Sequence, residues 1–188
     1  MANDNVLWHP SITVNKYNPE TVADITRSLG RAPTMEDYAN ITPDDFVTVE
    51  GNGLVNAGLQ RLADLIIGNG SVTAFTATKG LIGVGNSNTA FSPAHSDLQG
   101  ASKLFTPVAS APTASGGVIS ASALFASADA NFAWEEWCFA IGSGTTVKNA
   151  ALATAGGGSA VMLNRKVQSL GTKASGADWT LSATVTLS

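Results

Sequence analysis

The chain has 188 residues, 44% of them hydrophobic and only 13% charged, with a net charge of -4 and a pI near 5.0. That length supports a sizeable core in one domain, or one domain with an appended arm. The ten basic residues are scattered singly, which excludes a dedicated nucleic-acid binder, since such a protein needs clustered Lys and Arg to neutralise phosphates.

The charged share is about half of the roughly 25% usual for globular chains. Rich Ala, Ser, Thr and Gly content leaves much surface neither charged nor greasy, the kind that partner subunits cover. This favours an assembly component over a free enzyme. Cys138 is the only cysteine, so no intrachain disulfide and no Cys-based metal site can form. The opening "MANDNVLWHP" lacks a basic stretch followed by an apolar one, and no apolar run approaches the roughly 20 residues needed to span a bilayer. The expectation is a soluble chain made in the cytoplasm, with no membrane partner.

The first fifty residues differ from the rest. Pro10, Pro19, Pro33 and Pro43 punctuate them, and charges are denser there. "NPETVADITRSLG" (Asn18 to Gly30) has the marks of a short helix: Pro19 in the first turn, Glu20 and Asp24 near the positive end of the dipole, and Gly30 as a stop. "ITPDDF" (Ile41 to Phe46) reads as a turn. Residues 1–50 are expected to form an N-terminal arm that gains order on a neighbour, the alternative being a helical cap on the chain's own domain. Residues 51–188 are expected to form a helix plus a β-sandwich.

"GLVNAGLQRLADLIIGNG" (Gly53 to Gly70) is the clearest helix. Leu54, Val55, Leu59, Leu62, Leu65 and Ile66 recur at helical spacing, and Arg61 and Asp64 are placed on the other face. From Phe75 onward the pattern turns β. Strands are predicted at Leu81 to Val84, in "SKLFTPVAS" and "GVISASALFAS" around a turn at Pro112 to Gly117, in "FAWEEWCFAIG", and in "SAVMLNRKVQSL" after a "TAGGGS" loop. The last is "ADWTLSATVTLS", where Trp179, Leu181, Ala183, Val185 and Leu187 alternate with polar residues. Period-two strands between Gly-rich turns predict a mainly β protein. Its architecture would be an antiparallel β-sandwich with one amphipathic helix and an N-terminal arm.

"NFAWEEWCFAIG" (Asn131 to Gly142) concentrates the candidate chemistry. In a strand, successive side chains point to opposite faces. Trp134, Glu136, Cys138 and Ala140 then share one face, and Glu135, Trp137, Phe139 and Ile141 the other. The two glutamates diverge and cannot act as paired acids on one substrate. Glu136 is a candidate structural partner of Arg165 across neighbouring strands; the alternative is that both are exposed. Cys138 needs an activating base, and His9 and His95 lie far off in sequence, so a buried, inert thiol is expected. The Ser, His and Asp of "SPAHSDL" (Ser92 to Leu98) read as turn and cap residues. Neither "IGVGNSN" nor "TAGGGSA" has phosphate-cradling spacing. No catalytic residue, cofactor or metal is assigned. Trp134, Trp137 and Trp179 are expected in the core.

The order of five segments carries a resemblance: "LIGVGNSNTAF" (Leu81 to Phe91), "SDLQGASK" (Ser96 to Lys103), "NFAWEEWCFAIG", "VMLNRKV" (Val161 to Val167) and "KASGADWTLSATVTLS" (Lys173 to Ser188). Together they resemble a group of tailed-bacteriophage minor virion proteins of the tail-fibre and head-fibre type, over roughly the last two thirds of the chain. The resemblance implies a non-enzymatic structural component of a virion, assembled in the host cytoplasm. It would sit at the tail, neck or fibre and bind other copies of itself and other virion proteins, with neither nucleic acid nor membrane as partner. The alternatives are a capsid decoration protein, or a receptor- or carbohydrate-binding module at a fibre tip. A hydrolase would need a convergent acid pair or triad.

Overall fold

A computed structural model describes residues 8–51, 53–155 and 159–187. Residues 1–7 of the expected arm and residues 156–158 of the "TAGGGS" loop lie outside the described residues. The chain forms, in order, β1 (Trp8–Tyr17), α1 (Pro19–Leu29), a 3₁₀ turn (Met35–Asn40), β2 (Asp45–Glu50), β3 (Gly53–Leu54), α2 (Asn56–Ile66), β4 (Gly80–Gly85) and β5 (Lys103–Pro107). Then follow β6 (Thr113–Ser115), β7 (Val118–Phe125), β8 (Ala133–Ile141), β9 (Val147–Lys148), a second 3₁₀ turn (Leu152–Ala155), β10 (Val161–Met162), β11 (Asn164–Thr172) and β12 (Asp178–Leu187).

These strands make two antiparallel sheets packed on each other, a β-sandwich. One runs β2-β1-β12-β7-β6; the other runs β3-β11-β8-β4-β5-β9, with β10 also paired to β8. The core between them holds Ile12, Val14, Ile82, Phe125, Trp137 and Leu181, among others.

Residues 8–50 are built into the chain's own domain and do not stand off as an arm. β1 is an interior strand, paired with β12 from Trp8↔Leu187 to Tyr17↔Asp178 and with β2 on its other side. The cause is legible in "SITV": Ile12 and Val14 are buried while Ser11 and Thr13 are only partly so, the alternation of a half-buried strand. Pro10 does not break it, because β2 has ended by then; the last β1–β2 pair is Ser11↔Glu50. Proline is tolerated where a ladder hydrogen bond is not required.

Among the described residues there are two α-helices, the short one read at Asn18 to Gly30 as well as the one amphipathic helix of the expected architecture. In α1 the Asn18 side chain accepts from the Thr21 N–H at 2.9 Å, Pro19 occupies the first turn, and Gly30 at φ 68° donates to the Thr26 carbonyl. Pro19 and Gly30 are the start and stop read from the sequence, and the Asn18 side chain adds an N-cap. The segment carries a small core of its own, Tyr17, Val22 and Tyr38, with partly buried Ile25, Ile41 and Leu124 against it.

The second sheet is covered on both faces. Val55, Leu98, Phe105, Cys138, Leu152 and Met162 belong to a second core on its outer side. Double coverage explains why "GLIGVG" is buried at every position and reads as a continuous apolar run, not an alternating one.

Candidate functional site

On β8, Trp137, Phe139 and Ile141 point into the sandwich core, and Cys138 and Ala140 into the outer core. Strict alternation would put Trp134 with Cys138. Instead Trp134 lies in the sandwich core, edge-on to Phe125 at 4.6 Å and to Trp179 at 4.7 Å. The reason is a break in register. β11 pairs Val167 with Glu136 and then Gly171 with Trp134, so three residues of β11 stand against Glu135 alone. Such an irregularity re-aims side chains locally. Trp134, Trp137 and Trp179 are buried.

Glu136 and Arg165 meet on the outer face of the second sheet. Arg165 Nε donates to Glu136 Oε2 at 2.5 Å, with both side chains wholly buried. Two backbone N–H groups also donate to the carboxylate, Gly100 at 2.7 Å and Gln99 at 3.2 Å. The remaining guanidinium donors reach the carbonyls of Thr89 at 2.9 Å and Ala90 at 3.5 Å, and His95 Nδ1 at 3.3 Å. The ion pair therefore staples the long β4–β5 connection onto the sheet from both of its ends. Gly85 makes room for it: a Cβ there would stand 2.4 Å from Glu136 Oε1.

The same contacts settle the roles of the "SPAHSDL" residues. His95 Nδ1 accepts from the Ser92 N–H at 3.2 Å, so that nitrogen carries no proton. Burial, and then the Arg165 charge, push the imidazole pKa down and favour the neutral ring. The Ser92 hydroxyl oxygen accepts from the Ala94 N–H at 3.3 Å. Asp97 takes the Lys103 ammonium at 2.7 Å. These three residues are spent on loop structure and do not align as nucleophile, base and orienter. Glu136, with three N–H donors on its carboxylate, is locked in place. Glu135 points elsewhere and accepts from the Ser169 hydroxyl at 3.0 Å. Burial holds the Cys138 thiol well above its ordinary pKa, which disfavours the nucleophilic thiolate. Among the described residues, no three His, Cys, Asp or Glu side chains come together as metal ligands do.

The surface feature the sequence pattern misassigned is on α2. Arg61, expected on the solvent face, is buried; it donates to the carbonyls of Thr73 at 2.7 Å and Ser159 at 3.3 Å. Gly58 is buried too and lies against the Leu163 backbone. Close approach at Gly58 and the pull of Arg61 on two carbonyls turn the helix, so part of its apolar stripe faces outward. Leu59 is 58% exposed, Ile66 85% and Ile67 78%. Leu59, Leu62, Leu65 and Ile66 line an open groove with Trp8 and Leu187, the first pair of the β1–β12 ladder.

Comparison with protein-family models, with curated proteins and with solved structures returned no match to this chain.

Proposed function

We propose that this protein is a structural component of a bacteriophage virion, a tail, neck or fibre-associated subunit that assembles with copies of itself and with other virion proteins. The observation that carries the assembly role is the outward apolar stripe of α2 with Trp8 and Leu187. A contiguous apolar surface on a chain with so few charges favours burial against a partner. The open edges β2 and β6 of one sheet, and β3 and β9 of the other, add further backbone for subunit contacts. The virion assignment rests on the ordered "LIGVGNSNTAF" to "KASGADWTLSATVTLS" segments and their likeness to phage fibre proteins. Burial of Trp134, Trp137 and Trp179 removes three of the four tryptophans from any sugar-binding surface.

Two measurements test this. Light scattering after size exclusion should show an oligomer that Leu59→Asp plus Ile66→Asp converts to monomer at unchanged circular dichroism; a monomeric wild type defeats the assembly role of this surface. Antibody-gold labelling of purified particles should mark the tail or neck. Label over the whole head makes the protein a decoration subunit. No label, with the protein also missing from particles by mass spectrometry, defeats the virion reading.

A further inference from the structure

Lys173 follows the end of β11 and is only 1% exposed. A lysine is almost never so buried unless it is paired, yet among the described residues no carboxylate lies within ion-pair distance of it. Its Nζ instead donates to the Ala126 carbonyl at 2.9 Å and to Asn131 Oδ1 at 2.9 Å. The Asn131 amide is held on its other side, where Nδ2 donates to the Ser127 carbonyl at 3.0 Å. Backbone bonds fix the two loops against each other: Lys173 N–H to Phe132 O at 3.1 Å, and Gly176 N–H to Ser127 O at 3.1 Å. The Trp134 indole N–H holds the Ala130 carbonyl at 2.9 Å. An amine and a carboxamide are thus held within hydrogen-bond distance in an ordered setting, and holding two reactants together favours reaction between them.

We propose that Lys173 and Asn131 join as an intramolecular amide cross-link that ties the β7–β8 loop to the β11–β12 turn. The neutral amine attacks Asn131 Cγ, forming the Nζ–Cγ bond. The Cγ–Nδ2 bond then breaks. The proton lost by Nζ passes to the departing nitrogen, which leaves as ammonia. Nothing is oxidised or reduced, and no other reactant is needed.

The surroundings suit each step. Burial lowers the Lys173 pKa to about 8, against the charges of Asp178 and Asp129, which raise it. A desolvated lysine with an accessible neutral form is a competent nucleophile. Asp178 is buried, and burial pushes its carboxyl pKa up. Its Oδ2 accepts from the Tyr38 hydroxyl. The Asp178 charge raises the Lys173 pKa and the Lys173 charge lowers that of Asp178, so the two groups sense each other's field. Asn131 is exposed, which gives ammonia an exit.

The test is the intact mass of the full chain, purified natively, aged above pH 8 and then denatured. The expected mass is lighter than the sequence mass by one ammonia. Digestion should yield one branched peptide containing both residue 131 and residue 173. Lys173→Arg keeps a cation for the same two acceptors but forms no cross-link, so it should show the full mass. Asn131→Ala, at an exposed position, should do the same with the fold retained. A folded wild type at full mass overturns the proposal. So does an ammonia loss that peptide mapping places at residue 131 and that persists in Lys173→Arg, because Asn131 would then have cyclised onto its own backbone.

Discussion

Replacing Glu136 or Arg165 with alanine probes how the outer face of the second sheet is held. Glu136→Ala leaves a wholly buried guanidinium facing only the Thr89 and Ala90 carbonyls and a neutral imidazole. Breaking a buried pair by removing one partner costs about 3–5 kcal/mol, because the other charge stays uncompensated. The Gln99 and Gly100 N–H groups also lose their acceptor, and each orphaned donor costs about 1–3 kcal/mol unless the loop lifts to let water in. For a chain of this size each kcal/mol lowers Tm by about 2–4 °C, so either single variant should melt about 6–20 °C lower. The double variant buries no unpaired charge. Its loss should fall short of the sum of the two singles by about 1–3 kcal/mol, within the range seen for contacting residues. Urea denaturation of the four proteins in the cycle, followed by circular dichroism, measures this directly. Additivity within about 0.5 kcal/mol would refute the claim that the two side chains act as one buried unit.

Three further outcomes are expected. Gly58→Ala should destabilise, although helix propensity alone predicts a gain of about 1 kcal/mol, because the new Cβ would stand 2.1 Å from the Leu163 carbonyl oxygen; overpacking of this kind costs about 1–3 kcal/mol, and an unchanged urea midpoint would show that α2 is not seated so closely. Cys138, buried and with its thiol pKa raised, should be inert to Ellman's reagent in native buffer and react only as urea unfolds the chain; rapid native labelling would contradict its burial. Asp37 accepts from Arg31 at 2.7 and 2.9 Å and from the Thr34 N–H at 2.7 Å, which holds its carboxyl well below the usual carboxylate range. A lowered folded-state pKa gives a contribution present above the unfolded value of about 3.9 and lost as the pH falls towards the folded value. Arg31→Ala should therefore shrink the acid sensitivity of the Met35–Asn40 turn, read from hydrogen exchange of its amides.

Local chemistry made some of this molecule legible in one dimension. Pro19 and Gly30 announce α1 because capping depends on residues next to one another in the chain. The alternation in "ADWTLSATVTLS" announces β12 because the period of a half-buried strand is two. The mutual divergence of Glu135 and Glu136 follows from the same geometry. β1 was legible too, in "SITV", but Pro10 and the neighbouring charges disguised it. Whether a proline breaks a strand depends on where its partner ends, and that is decided by pairing with β2.

Other features exist only in three dimensions. Trp134 joins Trp137 in one core because β11 carries extra residues opposite Glu135, and register between distant strands leaves no mark in a single segment. The Glu136–Arg165 pair is wholly buried because the β4–β5 connection folds over it and donates Gln99 and Gly100. α2 presents Leu59 and Ile66 outward because Gly58 meets the Leu163 backbone and Arg61 finds two carbonyls far along the chain. Periodicity fixes which residues share a helix face; only packing chooses which face is buried. Lys173, an ordinary basic residue in the sequence, becomes a desolvated amine against Asn131 because two turns 42 residues apart close at the same end of the sandwich.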